Sequence, residues 1–180
     1  IGTISKRKNL ANILLAYKKF QQSHPNSKTQ MIVVGGKYGS YPELDKVLEN
    51  NTFNEDIHFL GHIESQTLSK LLASAEALIY TSVFEGFGIP IVEAYYAETA
   101  VITSNVTSMP EVAGDAAILV NPMSVDDISH AMSQLSENPH LRNELIERGR
   151  KRRSLFSWDR TADLLWQSII RTINNKVSGI

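Results

Sequence analysis

The amino-acid sequence predicts an α/β protein built on a doubly wound parallel sheet of about six strands. Short runs rich in valine and isoleucine alternate with longer stretches whose apolar residues recur at steps of three and four. The short runs are apolar on both faces, which is typical of parallel strands covered by helices on both sides. The alternation repeats about five times, and this order of strand, helix and strand indicates successive βαβ units.

Five compact runs are the predicted strands, and each of them ends in glycine, serine or asparagine. The opening residues 1–4 (IGTI) resemble the tail of a sixth strand. The five runs are 31–36 (MIVVGG), 57–61 (IHFLG), 77–82 (ALIYTS), 100–104 (AVITS) and 117–121 (AILVN).

The stretches between these runs have the one-sided apolar pattern of surface helices. In the first stretch the apolar side chains of residues 10–20 share one face, and after Ser124 the sequence is helical with no further strand. Ser124 and Asp127 resemble a capping box, which signals a helix start. We therefore predict a single domain, with a sheet-and-helix core over about 1–122 and C-terminal helices over about 124–176.

The composition excludes several classes of function. The 180 residues carry 18 basic and 19 acidic side chains, a net charge of −1, so no overall positive field is available to bind nucleic acid. The absence of cysteine excludes a disulfide scaffold, a thiolate metal site and a cysteine nucleophile. No apolar run approaches the roughly 20 residues that a membrane-spanning helix needs.

One edge of the predicted sheet is polar and rich in glycine. Ligands of open parallel sheets bind beyond the carboxyl ends of the strands. The segments that follow the predicted strands hold much of the glycine, proline and local charge of the first two-thirds of the chain; they are SKRKN, GGKYGSYP, HIES, VFEGFGIPIVEA and NVTSMPE. The sequence therefore predicts a ligand site along this edge.

The segment EGFGIPIVEA, residues 85–94, is the sharpest signal. Gly86 and Gly88 let the backbone turn tightly and approach a ligand, and the proline that follows suits a helix start, whose unpaired N–H groups favour a phosphate. Glu85 and Glu93 would then suit sugar hydroxyls on either side of the phosphates. An equally good interpretation is that Glu93 only complements the helix dipole.

Other candidate site residues carry weaker signals. Lys6, Arg7 and Lys8 follow the opening residues and could neutralise a diphosphate, although a solvated basic turn explains any one of them at least as well. Lys8 is the strongest candidate because it directly precedes a predicted helix. Gly35 and Gly36 could bring the backbone close to a phosphate, or they could form a plain turn between strand and helix.

The histidines and the basic run 148–153 (RGRKRR) carry no catalytic prediction. His58 and His62 lie in or just after a strand, with no other ligand at metal-binding spacing, so we predict no metal site. The basic run fits a solvated helix face better than a contact with nucleic acid or anionic lipid.

Several segments together resemble family 4 glycosyltransferases, in particular their C-terminal, nucleotide-sugar-binding half. The resemblance runs in order from residue 1 to about 170, through GTISKRKNL, MIVVGG, IHFLGHI, ALIYTSVFEGFGIPIVEA, TSMPEVAGDAAILVNP and FSWDRTADLL. It implies the GT-B fold, in which two Rossmann-like domains face each other across a cleft. It also implies sugar transfer from a GDP- or UDP-sugar with retention of anomeric configuration, with no cofactor and usually no metal.

The resemblance also assigns roles to individual residues. Glu85 would hold hydroxyls of the donor sugar near the reacting carbon, and Glu93 would bind the ribose hydroxyls. Lys8 would stabilise charge on the leaving diphosphate. Many relatives have an arginine at the position of Thr3. This chain has Arg7 beside Lys8 instead. The further implied donor contacts are the backbone around Gly86, Phe87, Gly88 and Ile89, and the residues His62 and Ile63 beside the base.

A partner half is implied as well. An N-terminal acceptor domain would precede residue 1, so the chain would begin inside its first strand and would be inactive alone. The acceptor would be a glycan or a lipid-linked glycan, as in bacterial surface-polysaccharide mannosyltransferases, in the cytoplasm with or without peripheral contact at the inner face of the membrane. The last helix, around 158–173, would pack toward that domain and leave an apolar patch exposed in the isolated chain.

Two other functions stay open from the sequence: a non-catalytic nucleotide-sugar-binding module and a nucleotide-sugar epimerase of the same two-domain plan. A phosphorylase of the pyridoxal type would need a cofactor lysine that these segments do not indicate. A flavodoxin-like signalling domain would need an acidic cluster where this chain has Lys6, Arg7 and Lys8.

Overall fold

The computed structural model describes residues 1–37, 39–50 and 56–177 and has the expected alternation of strands and helices. Its strands are β1 (Met31–Val34), β2 (Ile57–Gly61), β3 (Ala77–Tyr80), β4 (Ala100–Ser104) and β5 (Ile118–Val120). Its α-helices are α1 (Leu10–Ser23), α2 (Pro42–Asn50), α3 (Ser65–Ser74), α4 (Ile89–Tyr96), α5 (Met109–Ala113), α6 (Val125–Glu137), α7 (Pro139–Arg153) and α8 (Trp158–Val177). A 3₁₀ turn, Lys6–Lys8, precedes α1.

The strand pairs within the described residues are parallel, which confirms the predicted fold class. β1 pairs with β2, and β4 lies between β3 and β5, so the strands form two sheets. The opening residues lie beside β1, where the N–H groups of Gly2 and Ile4 donate to the carbonyl oxygens of Val34 and Gly36 at 2.9 Å. They add one isolated bridge, Ile4 with Lys37, where the sequence indicates a sixth strand.

Two glycines explain why this segment is not a regular strand. Gly2 and Gly35 have φ angles of 108° and 133°, outside the extended region that a continuous ladder needs. A Cβ at Gly35 would lie 2.0 Å from the carbonyl oxygen of Gly2, so the close crossing of the two backbones requires glycine there. The opening residues nevertheless lie between the two sheets. They line a cavity of about 40 Å³ together with Val34 of β1 and Tyr80 of β3, one residue from each sheet.

Two apolar cores, one on each face of the strands, complete the doubly wound arrangement. The first contains α1, α2 and α6, with Leu14 fully buried, and the second contains α3, α4 and α5, with Ile91 fully buried. β4 contributes to both cores, since Ile102 belongs to the first and Val101 to the second, as successive strand residues must.

The basic run 148–153 lies on α7 and binds neighbouring helices, so it is more than the solvated face that the sequence indicates. Arg152 donates to the carbonyl oxygen of Val112 at 2.7 Å, and Arg153 donates to that of Tyr95 at 3.4 Å. These carbonyl groups belong to the last turns of α5 and α4, where the helix dipole concentrates negative charge. The run therefore stabilises the packing of α7 against the second core.

We expect Arg152→Met to lower the free energy of unfolding by about 1–3 kcal/mol, because two carbonyl groups of α5 lose a charged donor. Lys151→Met is the matched control: Lys151 is exposed on the same helix, and its loss should cost less than about 0.5 kcal/mol. Urea unfolding followed by circular dichroism measures both values. Equal stability of the two variants would contradict the role of Arg152 at the end of α5.

Candidate functional site

A short turn of basic residues is fixed against the carboxyl edge of the strands. The turn Lys6–Lys8 follows the opening residues, which end between the two sheets. The carbonyl oxygen of Arg7 accepts a hydrogen bond of 2.9 Å from the N–H of Val83, just after β3. The Arg7 guanidinium also donates to the carbonyl oxygen of Phe84 at 2.9 Å. The turn and the segment after β3 are therefore held together through both backbone and side chain.

Asn9 completes this attachment, and it is a residue that the sequence interpretation did not select. It is buried, and its backbone is left-handed with φ 62°, a conformation that asparagine tolerates better than most residues. Its side-chain amide donates to the carbonyl oxygens of Thr81 at 3.0 Å and Pro122 at 2.6 Å. Asn9 thus joins the basic turn to the loops after β3 and β5. In the sequence, the role of Asn9 is indicated only by its position between the basic residues and the predicted helix.

Glu85 lies between two cations of this turn, and we call Glu85, Lys8 and Arg7 the ion cluster. Lys8 Nζ lies 2.7 Å from Glu85 Oε1, and the Arg7 guanidinium pairs with Glu85 Oε2. The side chains of Lys8 and Glu85 are only 15% and 12% exposed, whereas Arg7 is about half exposed. The structure therefore brings together three of the predicted site residues, from two separate segments of the chain.

The ion cluster keeps Glu85 ionised. Burial opposes its ionisation, but the interactions with Lys8 and Arg7, together with those of Ser82 and Tyr80, outweigh burial and lower the pKa of Glu85 to about 2. Two cations facing one carboxylate leave the cluster with an excess of positive charge at a sheet edge. Such an edge favours an anionic ligand.

The loop before α4 presents backbone donors beside the ion cluster. Gly88 precedes α4 with φ 106°, and a Cβ there would press on the side chain of Ile91 at 3.2 Å. The N–H groups of Phe87, Gly88 and Ile89 have no acceptor in the described part of the chain. A Cβ at Gly86 would meet no atom within 4 Å, so the loop is open on that side. Unpaired donors at a helix start are suited to an anion or to sugar oxygens.

The loop after β4 holds this donor loop in place. Ser108 Oγ lies 2.9 Å from the carbonyl oxygens of both Glu85 and Phe87, which share its single hydroxyl proton. The N–H of Glu85 donates to Thr107 Oγ1 at 3.4 Å. The Phe87 ring packs edge-on against Phe156, with 5.7 Å between ring centroids. The sequence interpretation did not select Ser108, because a serine that binds two carbonyl groups leaves no spacing pattern.

The other predicted residues are less closely connected to the ion cluster. Glu93 is exposed in the second turn of α4, and its carboxylate forms no ion pair or hydrogen bond with the residues that the structure describes. Gly35 has a structural reason to be glycine, and Gly36 accepts a backbone hydrogen bond from Ile4. The residues after β2 are an exposed histidine and a half-buried isoleucine, His62 and Ile63, and no hydrogen bond joins them to the ion cluster. Their contact with a ligand stays a prediction.

Three further observations concern cavities, metal ligands and membrane-spanning helices. A larger cavity, of about 410 Å³, lies between residues 28–32 and 74–79 at the amino ends of β1 and β3, on the opposite edge from the ion cluster. In residues 1–37, 39–50 and 56–177, no three histidine or acidic side chains come together as metal ligands would. Over the same ranges, no helix has both the length and the apolar character to cross a bilayer.

Known proteins are similar to this chain in sequence. Residues 1–152 match the family described as Glycosyl transferases group 1. O-antigen chain mannosyltransferase B of Escherichia coli is 35% identical over 159 residues, which cover 88% of this chain and 42% of that protein. The chain thus spans less than half the length of this relative.

Solved structures give the same result for the fold. The C-terminal domain of a glycosyl transferase group 1 family protein (LpcC) from Francisella tularensis superposes with a TM-score of 0.75 at 23% identity, over 86% of this chain and 82% of that one. The pneumococcal O-GlcNAc transferase GtfA, solved in complex with UDP and GlcNAc, gives a TM-score of 0.74 at 18% identity, over 96% of this chain and 36% of that one. From the matched residues and the fold together, this chain belongs to the group 1 glycosyl transferases.

Proposed function

We propose that this chain is the donor-binding domain of a retaining hexosyltransferase that uses a nucleoside-diphosphate sugar. The observation that carries the proposal is the ion cluster beside the unpaired donors of residues 87–89. A diphosphate needs cations and N–H donors, and a sugar needs a carboxylate that accepts hydrogen bonds from hydroxyls. The carboxyl edge of this domain offers both kinds of group within one site.

Lys8, Arg7 and the start of α4 bind the diphosphate in this proposal. As the bond between sugar and diphosphate breaks, negative charge grows on the leaving phosphate, and fixed cations and N–H groups stabilise that charge. Arg7 supplies the second cation, since its guanidinium pairs with the same carboxylate as Lys8. The guanidinium of Arg7 is half exposed and can turn toward a ligand while its backbone stays bound to Val83.

Glu85 and Glu93 bind hydroxyl groups in this proposal. Glu85 is ionised, and as the phosphates attract Lys8 and Arg7 its oxygens become acceptors for hydroxyls of the donor sugar. Glu93 is an exposed carboxylate in the second turn of α4, and it binds the ribose hydroxyls. Gly86, which leaves open space, lets the sugar approach the backbone. The residues after β2, His62 and Ile63, contact the base of GDP or UDP; UDP is the nucleotide in the GtfA complex.

The complete enzyme has a second, N-terminal domain in this proposal. The chain covers 82% of a C-terminal domain from this family but 42% of a complete relative. The second domain binds a glycan or lipid-linked acceptor of polysaccharide synthesis, in the cytoplasm with peripheral contact at the inner face of the membrane. The apolar face of α8 packs against it; this face is exposed and comprises Trp158, Leu164, Leu165, Trp166, Ile169 and Ile173.

We expect Glu85→Gln in the full-length enzyme to lower the rate of sugar transfer by at least about 100-fold, because the donor sugar loses a charged acceptor. The free nucleoside diphosphate should bind at least as tightly as before, because Lys8 and Arg7 lose their competing partner. Transfer of a labelled sugar and calorimetric titration with UDP and GDP measure the two effects.

Glu98→Gln is the matched control, because the Glu98 carboxylate also pairs with two arginines, Arg150 and Arg153, but at the far end of α4. It should leave transfer unchanged. Normal transfer by Glu85→Gln would overturn the role of Glu85. Incubation of enzyme and donor without acceptor tests the alternative chemistry: an epimerised donor would replace the transferase proposal with an epimerase.

We expect Glu93→Ala to weaken nucleoside-diphosphate binding by about 1–3 kcal/mol, because the ribose loses a hydrogen-bond acceptor. The loss should appear with UDP or GDP and should vanish with the 2′,3′-dideoxy analogue of the same nucleotide. Calorimetric titration of the parent protein and the variant with each ligand gives the comparison. A loss of equal size with the dideoxy analogue would show that Glu93 does not act through the ribose hydroxyls.

A further inference from the structure

We propose that Tyr80 is a positioning residue for the transfer reaction: its buried hydroxyl holds Lys8, the partner of Glu85, in its working geometry while the donor binds. This inference rests on the proposed function, because it concerns how the ion cluster meets a diphosphate. Tyr80 ends the apolar run ALIY, where it has the pattern of a core residue. Unlike an ordinary core residue, however, it contacts a charged group of the ion cluster, Lys8.

Tyr80 touches Lys8 in two ways. Its hydroxyl accepts a hydrogen bond of 2.7 Å from Lys8 Nζ, and the centroid of its ring lies 4.5 Å from the same nitrogen. The Tyr80 side chain is almost completely buried, at 3% exposure. The ammonium group is therefore held from the protein side, away from the direction in which a ligand arrives.

The backbone of Tyr80 is fixed by the centre of its sheet. Tyr80 pairs with Thr103 of β4, and Thr103 Oγ1 donates to the Tyr80 carbonyl oxygen at 2.8 Å. The ring also approaches the start of α4, since its edge lies 3.9 Å from the position of a Cβ at Gly88. The hydroxyl is thus attached to a rigid strand, whereas Lys8 has a flexible four-carbon stem.

The same hydroxyl lies near Glu85, because Lys8 Nζ contacts both the Tyr80 hydroxyl and Glu85 Oε1 at 2.7 Å. Burial and the neighbouring Glu85 charge raise the pKa of Tyr80 above its usual value, so the hydroxyl keeps its proton. A protonated hydroxyl can donate to a carboxylate while it accepts from an ammonium group. Tyr80 therefore holds one member of the buried ion pair, Lys8, directly and lies beside the other.

The arrangement matters most when the donor arrives. An ammonium group has three N–H donors, and in this structure Lys8 directs them toward Tyr80 and Glu85, with capacity left for one more acceptor. The phosphates compete with Glu85 for Lys8 and Arg7, so the ion pair weakens as the ligand binds. The buried contact with Tyr80 does not face the ligand and persists, which keeps Lys8 Nζ beside the phosphate and Glu85 beside the sugar.

The test measures affinity of the full-length enzyme for UDP and GDP by calorimetry, in Tyr80→Phe, Lys8→Met and the double variant. Tyr80→Phe keeps the ring and removes the hydroxyl. We expect it to lower the affinity for whichever of the two nucleotides binds by about tenfold. Lys8→Met should lower the affinity more. The double variant should bind no more weakly than Lys8→Met alone, because Tyr80 acts through Lys8.

Tyr17→Phe is the matched control for the loss of a buried hydroxyl. Tyr17 is equally buried, its hydroxyl donates to the carbonyl oxygen of Thr29 at 2.6 Å, and Thr29 lies at the amino ends of the strands. Tyr17→Phe should lower thermal stability about as much as Tyr80→Phe does. Unlike Tyr80→Phe, it should leave the nucleotide affinity unchanged. In transfer assays, Tyr80→Phe should also lower kcat, because Lys8 loses the buried contact that holds it beside the leaving phosphate.

Two results would overturn the role of Tyr80 alone: parent-like affinity in Tyr80→Phe, or a loss that adds in full to that of Lys8→Met. Parent-like affinity in Lys8→Met would instead overturn the phosphate site, and with it the proposed function of the ion cluster. The outcome for Lys8→Met therefore separates failure of this inference from failure of the function on which it rests.

Discussion

The site depends on one buried carboxylate held between two cations. Glu85 and Lys8 are both largely shielded from water, and charges in such a place are stable only when they are paired and hydrogen-bonded. This requirement fixes the relative position of two segments that are more than seventy residues apart in the sequence. The basic turn must lie against the loop before α4, and the surrounding hydrogen bonds serve that contact. A ligand can separate the pair only by offering Lys8 and Arg7 an acceptor at least as good, which is what a phosphate does.

Backbone carbonyl groups, more than side-chain pairs, hold this arrangement in place. Asn9 donates to carbonyl groups of the loops after β3 and β5, and Ser108 donates to those of the loop before α4. Arg152 does the same at the end of α5. Each contact fixes a loop or a helix end, where carbonyl groups lack partners within the element itself. The rigid strands therefore determine where the ion cluster lies, although its members come from loops.

The sequence was sufficient for the fold class and for the chemically distinctive site residues. Apolar runs on both strand faces predicted the parallel strands, and Ser124 Oγ accepts from the N–H of Asp127 at 3.1 Å, which confirms the predicted helix start. Lys8 and Glu85 could be found because they follow strands. Asn9 and Ser108 could not, because a side chain that binds a carbonyl group depends on folded geometry and leaves no spacing pattern. The contacts of Arg152 were not predicted either, because a basic run on a helix is usually solvated.

Tyr80 shows a further limit, since a tyrosine at the end of an apolar run has the same pattern whether its hydroxyl is structural or part of a site. Only the neighbours of the hydroxyl separate the two cases, and here they are an ammonium group and a carboxylate. In the proposed function, this difference bears on how one domain prepares for a reaction that a second domain completes. The ion cluster lies at an open edge, where water weakens each of its interactions with a ligand. A second domain that closes over this edge would exclude that water and strengthen the same contacts without changing them. The buried hydroxyl preserves the geometry until then, which is why it must sit on the strand and not on the loop.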